Sequence, residues 1–193
     1  MKNLTNILLV IMVILCVGSY MKKNHISIKS PFKPKVDPLI NLKIRQNKVV
    51  FTIHGLGDYD NDKLYEAQQI IKEVFGLDSK IGEPILVSNS VYTKDGLLNL
   101  DKVEKNNYLE PHIYITNANL LCNNELLWGV TMENEMFVSI NEFKCTLSHE
   151  IGHWEFLDHC NNSRCMMNIT EPSLYIFCTE CKTKLNRFLP KQQ

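Results

Sequence analysis

The chain has 193 residues, and its 21 lysines and arginines are balanced by 21 aspartates and glutamates. No net field draws it to nucleic acid, which argues against that class of partner. Seven cysteines, an odd number, exclude a full set of disulfides.

Residues 7–18 form an apolar run after Lys2. Its length suits the hydrophobic region of a signal peptide and is short for a spanning helix. Residues 1–19 therefore read as a signal peptide or N-terminal anchor. This predicts export or membrane attachment through residues 4–18, with a cytoplasmic location disfavoured. Cys16 does not make a lipoprotein signal, because Leu15 before it is too large. Residues 20–45, with Pro31, Pro34 and Pro38 among lysines, read as a linker. Residues 46–193 are enough for one domain with a core of its own, and a monomer is expected.

Within that domain Val49–Ile53 predicts a strand, with His54-Gly55-Leu56-Gly57 as a turn. Leu64, Ala67, Ile70, Ile71, Val74 and Phe75 form a helical stripe ending at Gly76. Further strands are expected at Ile85–Tyr92, Ile113–Thr116, Leu127–Thr131 and Met136–Ile140. His25, His54 and His112 are isolated and read as surface or satisfied core residues. Glu133 and Glu135 read as solvated turn residues, the alternative being that they favour a basic or amino-terminal group. Strands followed by a helix and a cysteine-rich tail give a mixed α/β (α+β) domain.

The chemistry is concentrated at His149-Glu150-Ile151-Gly152-His153 and His159. Residues four apart share one face of a helix, so His149 and His153 can grip one metal ion. His159 is far enough along for the chain to leave the helix and return with a third nitrogen. Three ligands leave the fourth position of a tetrahedral zinc open, as a catalytic site requires. Glu150 is then the candidate proton carrier for hydrolysis. Phe143, Leu147, Ile151 and Trp154 supply the apolar stripe of a half-buried helix starting near Asn141-Glu142.

Cys160, Cys165, Cys178 and Cys181 follow, with paired spacings that suit four thiolates around a second, structural zinc. Two disulfides are the alternative, which an exported chain would permit. Cys122 and Cys145 read as buried small residues.

These residues resemble the archaemetzincins. The resemblance rests on the His-Glu-x-x-His helix, His159 followed directly by Cys160, Cys165-Met166-Met167, and Cys178-Thr179-Glu180-Cys181. It implies a metzincin-like zincin domain, with a mixed twisted sheet ahead of the active-site helix. It also implies a C-terminal subdomain held by a four-cysteine zinc site. By resemblance His149, His153 and His159 match the catalytic zinc ligands, and Glu150 the general base. Met167 matches the methionine floor beneath that zinc, and the four cysteines the structural zinc ligands. Two zinc ions per chain are implied. So is a peptide or protein substrate, bound along an edge strand within residues 126–140 and cleaved by a protease or aminopeptidase.

The chain departs from the family in three places. Phe156 stands where metzincins carry a left-handed glycine, so a redrawn turn is expected and His159 is the least secure ligand. The stretch between Met167 and Cys178 is short. Family members are mostly thought of as intracellular, unlike a chain with this N-terminus. An inactive, zinc-stabilised peptide-binding module is the rival reading, and a metal-storing exported protein a second.

Overall fold

The computed structural model describes residues 49–106, 108–168 and 176–185. The predicted signal or anchor and the linker lie outside the described residues. Among the described residues no helix is long and apolar enough to cross a membrane.

A five-stranded sheet runs in the order β2-β1-β4-β8-β7. Its members are β1 (Val50–Gly55), β2 (Asp78–Ile81), β4 (His112–Thr116), β7 (Gly129–Met132) and β8 (Glu135–Ser139). The first four in that order pair in parallel, and β7 closes the sheet antiparallel to β8. Both faces are covered, so β8 is buried at every residue and β1 at all but its first.

One face presents Phe51, Ile53, Ile113, Ile115, Met136 and Val138 to two helices. Helix α1 (Asn61–Ile70) is capped by Asp60, whose carboxylate accepts the Asp62 N–H at 2.9 Å. It continues as a π-turn over Ile71–Phe75 and stops at Gly76, left-handed at φ 67°. Helix α2 (Phe143–Trp154) packs on the same face, against β7 and β8. On the other face Tyr114, Phe137 and Val130 meet a small sheet. Its strands, in spatial order, are β3 (Leu98–Asn99), β5 (Leu120–Cys122) and β6 (Glu125–Leu127).

The sequence expectations are corrected in four places. The expected turn at His54 is strand, because β1 stays paired with β4 as far as Gly55 and Ile115. Gly55 serves close packing, since the Tyr59 ring occupies the space a Cβ would need. Ile85–Tyr92 is not a strand: Ile85 makes one bridge to Leu56, and Ser88 caps a 3-10 turn at Asn89–Val91. Leu127–Thr131 divides at Trp128 between two sheets. Finally, neither His54 nor His112 is isolated, and Glu135 is not solvated. The Nε2 of His54 lies 2.9 Å from Nδ1 of His112. Glu135 is buried and accepts the Tyr114 hydroxyl at 2.9 Å.

Candidate metal centre

Helix α2 begins abruptly. Glu142 takes φ 48° with no side-chain cap, and the Thr146 hydroxyl bonds back to the Asn141 carbonyl at 3.1 Å. From Cys145 to Trp154 every residue is buried, so two imidazoles and a carboxylate are carried into the protein interior.

The end of the helix decides where the third imidazole goes. Phe156 adopts φ 65°. Its N–H donates to the His153 carbonyl at 2.9 Å, and the Leu157 N–H donates to the Gly152 carbonyl at 2.8 Å. That pair of bonds is a Schellman motif with phenylalanine in the left-handed position. The turn is kept, at a strain of roughly 1–2 kcal/mol, and the expected redrawing does not occur. The chain returns, and His159 joins His149 and His153 with all three ligand atoms within 4.8 Å of one another.

The hydrogen bonds around these rings fix what the cluster can do. Nδ1 of His149 lies 2.8 Å from the Met166 carbonyl, and Nδ1 of His153 lies 2.9 Å from the Leu157 carbonyl. A carbonyl only accepts, so each Nδ1 carries the proton and each Nε2 is left with a lone pair. Those Nε2 atoms are 2.9 Å apart, and that of His153 is 3.0 Å from Nε2 of His159. Lone pairs facing each other at this range need a cation between them. A tetrahedral zinc with bonds near 2.05 Å spaces its nitrogens by about 3.3 Å, so the cluster is a few tenths tighter than a filled site and of the right shape. Burial lowers His149 to about 3 and His153 to about 4, and it also lowers His159. Neutral imidazoles are what a metal requires.

Glu150 lies beside the cluster, fully buried. Burial pushes its carboxyl up to about 8, against a hydrogen bond that pulls the other way. That bond comes from Thr131 on β7, whose hydroxyl is 2.6 Å from Oε2 and 3.0 Å from the Glu150 carbonyl. Oε1 has no partner. Gly129, two residues earlier on the same face of β7, makes room for it, because a Cβ there would stand 2.8 Å from Oε1. Met167 packs from below. A Cβ on Gly152 would meet its Sδ at 2.5 Å, so the thioether lies directly against the turn between the two helix histidines.

The second cluster is adjacent. Cys160, Cys165, Cys178 and Cys181 are free thiols with their sulfurs within 4.8 Å of one another. Sγ of Cys160 and Cys178 are 3.7 Å apart, and those of Cys165 and Cys181 3.6 Å. Zinc–sulfur bonds near 2.3 Å give a tetrahedral edge of about 3.8 Å, so the four sulfurs fit zinc. The Cys178 N–H donates to Cys165 Sγ at 3.3 Å and the Asn162 N–H to Cys160 Sγ at 3.4 Å, as donors to thiolates do. Cys181 belongs to α3 (Thr179–Leu185). Cys122 and Cys145 are buried and belong to neither group. The two clusters share one segment. His159 and Cys160 are neighbours, the Cys160 N–H donates to the Met167 carbonyl at 2.9 Å, and Met166 orients His149.

The crystal structure of archaemetzincin from Archaeoglobus fulgidus, complexed with malonate, superposes with a TM-score of 0.58 at 16% identity, covering 70% of this chain and 99% of that one. The chain has the archaemetzincin fold. A zinc-dependent peptidase from Methanocorpusculum labreanum gives 0.54 at 16% identity, covering 69% of this chain and all of that one. In sequence, archaemetzincin of Sulfolobus acidocaldarius is 41% identical over 46 residues. That match spans 21% of this chain and 26% of the relative, so the chain aligns with about a quarter of the relative's length. No protein-family model matches the chain.

Sequence reasoning named the histidines, Glu150, Met167 and the cysteines. It missed Thr131 and Gly129, and the carbonyls of Leu157 and Met166. Gly-x-Thr on a strand carries no motif, and backbone acceptors have no side-chain signature.

Proposed function

We propose that the chain is a zinc metallopeptidase, in which His149, His153 and His159 hold one zinc ion and Cys160, Cys165, Cys178 and Cys181 hold another. The observation that carries this is the set of facing Nε2 lone pairs, fixed by Nδ1–H bonds to the Met166 and Leu157 carbonyls. Bound at the histidines, zinc supplies Lewis acidity toward water and a scissile carbonyl. The remaining work belongs to the protein's own groups. Glu150 takes a proton at Oε1, the oxygen with no other partner, and returns it to the leaving amine. Thr131 and Gly129 set where that oxygen lies. Strand β7 is the edge strand of the sheet beside Glu150, and pairing of an extended peptide along a sheet edge is the binding mode this reading takes.

Glu133, exposed in the turn after β7, puts an acidic group at the end of that strand. It supports a preference for a substrate amino terminus, hence aminopeptidase-like cleavage. The apolar run at residues 7–18 supports export or membrane anchoring of a monomer.

Glu150→Ala tests the central claim. Zinc content should be unchanged, and hydrolysis of an aminoacyl or internally quenched peptide should fall by about 10²-fold or more. Full activity in that variant would sink the mechanism. The rival, an inactive binding module, draws support from the complete burial of both His149 and Glu150. It predicts peptide binding with no turnover in the parent protein.

A further inference from the structure

Thr131 is set apart by its surroundings. It lies on the edge strand β7, is 0% exposed, and places its hydroxyl 2.6 Å from a Glu150 carboxylate oxygen and 3.0 Å from the Glu150 main-chain carbonyl. The contact to Oε2, at 2.6 Å, is a short hydrogen bond. The two oxygens of Glu150 are thereby made unequal, since Oε2 is tied to β7 while Oε1 is buried without a partner. Gly129 reinforces the division by leaving the space into which Oε1 and Cγ of Glu150 fit. A carboxylate at the end of two rotatable bonds has several positions open to it. A hydroxyl on a rigid strand selects one.

We propose that Thr131 is a positioning residue for proton transfer, fixing the Glu150 carboxylate through Oε2 so that Oε1 alone meets the reacting groups. The proposal rests on the reading of Glu150 as proton carrier.

The test compares the full chain, loaded with zinc, as wild type, Thr131→Val and Thr131→Ser. Valine keeps shape and removes the hydroxyl; serine keeps the hydroxyl. On a peptide substrate, kcat of the valine variant should fall about 10- to 100-fold, the loss of one hydrogen bond to a charged group. KM and zinc content should stay within about twofold, and serine should restore kcat to within about threefold of wild type. Unchanged kcat in the valine variant overturns the proposal, as does a serine variant no better than valine.

A second readout separates this from the peptidase reading itself. Acetohydroxamate chelates a divalent metal and carries a donor for a neighbouring carboxylate, so calorimetry can follow its affinity in a cycle with Glu150→Ala. Thr131→Val should weaken binding about tenfold when Glu150 is present and change nothing when it is absent. Zero coupling overturns the positioning role even if the wild type cleaves peptides. Clear coupling in a chain that cleaves nothing upholds that role while the peptidase reading fails.

Discussion

Glu155 is a residue that catalysis does not use and stability must carry. It follows Trp154 at the end of α2, is 0% exposed, and neither carboxylate oxygen has a partner. Burial pushes its carboxyl up to about 8 from an ordinary 4.5. The folded state thus holds a proton that the unfolded chain releases across that interval. Stability is fully present below about pH 4.5 and falls as pH rises to about 8. Glu155→Gln keeps the shape and removes the charge. The urea midpoint of the variant should decline less between pH 5.5 and 8 than that of the parent. Glu150 shares the trend, so part of the decline should remain. Identical slopes would show that Glu155 finds a charge partner in solution. The contrast with the histidines is instructive. Paired spacing announces a metal ligand in a sequence, whereas a buried unpaired glutamate announces nothing.

Among the elements, the C-terminus of α2 is where local preference and tertiary demand collide. A phenylalanine at φ 65° opposes its own backbone preference, yet the two Schellman hydrogen bonds and the Leu157 carbonyl on His153 hold the turn. Phe156→Gly should relieve the strain and raise stability by about 1 kcal/mol, less the packing of a half-buried ring. Zinc binding at the histidines should not weaken. A loss of more than about 1 kcal/mol in denaturant unfolding would mean that the ring's packing outweighs the strain.

Strand legibility followed the same logic. Leu64 to Gly76 and Met136 to Ile140 were readable because one face or both are apolar. By contrast β2, Asp78-Ser79-Lys80-Ile81, is an edge strand with alternating exposure and a single apolar residue, invisible to pattern alone. The division at Trp128 was equally unreadable, because β6 and β7 are apolar runs that only tertiary pairing assigns to different sheets.

At the scale of the molecule, the sheet separates two interiors. One holds α1, α2 and the base of the metal centre, and the other holds the small sheet around Leu98, Leu120 and Phe137. Fold class and two groups of candidate metal-ligating residues were legible in the sequence, since the residues of each group are compact in the chain. Strand order and the burial of Glu135 were not, because they depend on contacts between distant segments. Two clusters predict a zinc-to-protein ratio near two in purified protein. Cys165→Ser should bring the ratio toward one and lower the unfolding temperature, because metal at a four-thiolate site contributes on the order of 10–16 kcal/mol of binding free energy. A ratio that stays at two would mean that three thiolates suffice.

The shared segment from His159 to Met167 carries a consequence for how the molecule is made. Every histidine and cysteine of the two clusters lies between residues 149 and 181, joined by short closures, whereas β1 must find β4 across the long span from Thr52 to His112. Loop closure favours near partners, and parallel pairing is slow. The thiolate cluster can therefore gather its metal while the sheet is still searching. It then presents Met166 and His159 as a finished seat onto which the helix histidines settle when α2 docks. The seat for the metal would then be set before the strands that precede it in the chain have paired.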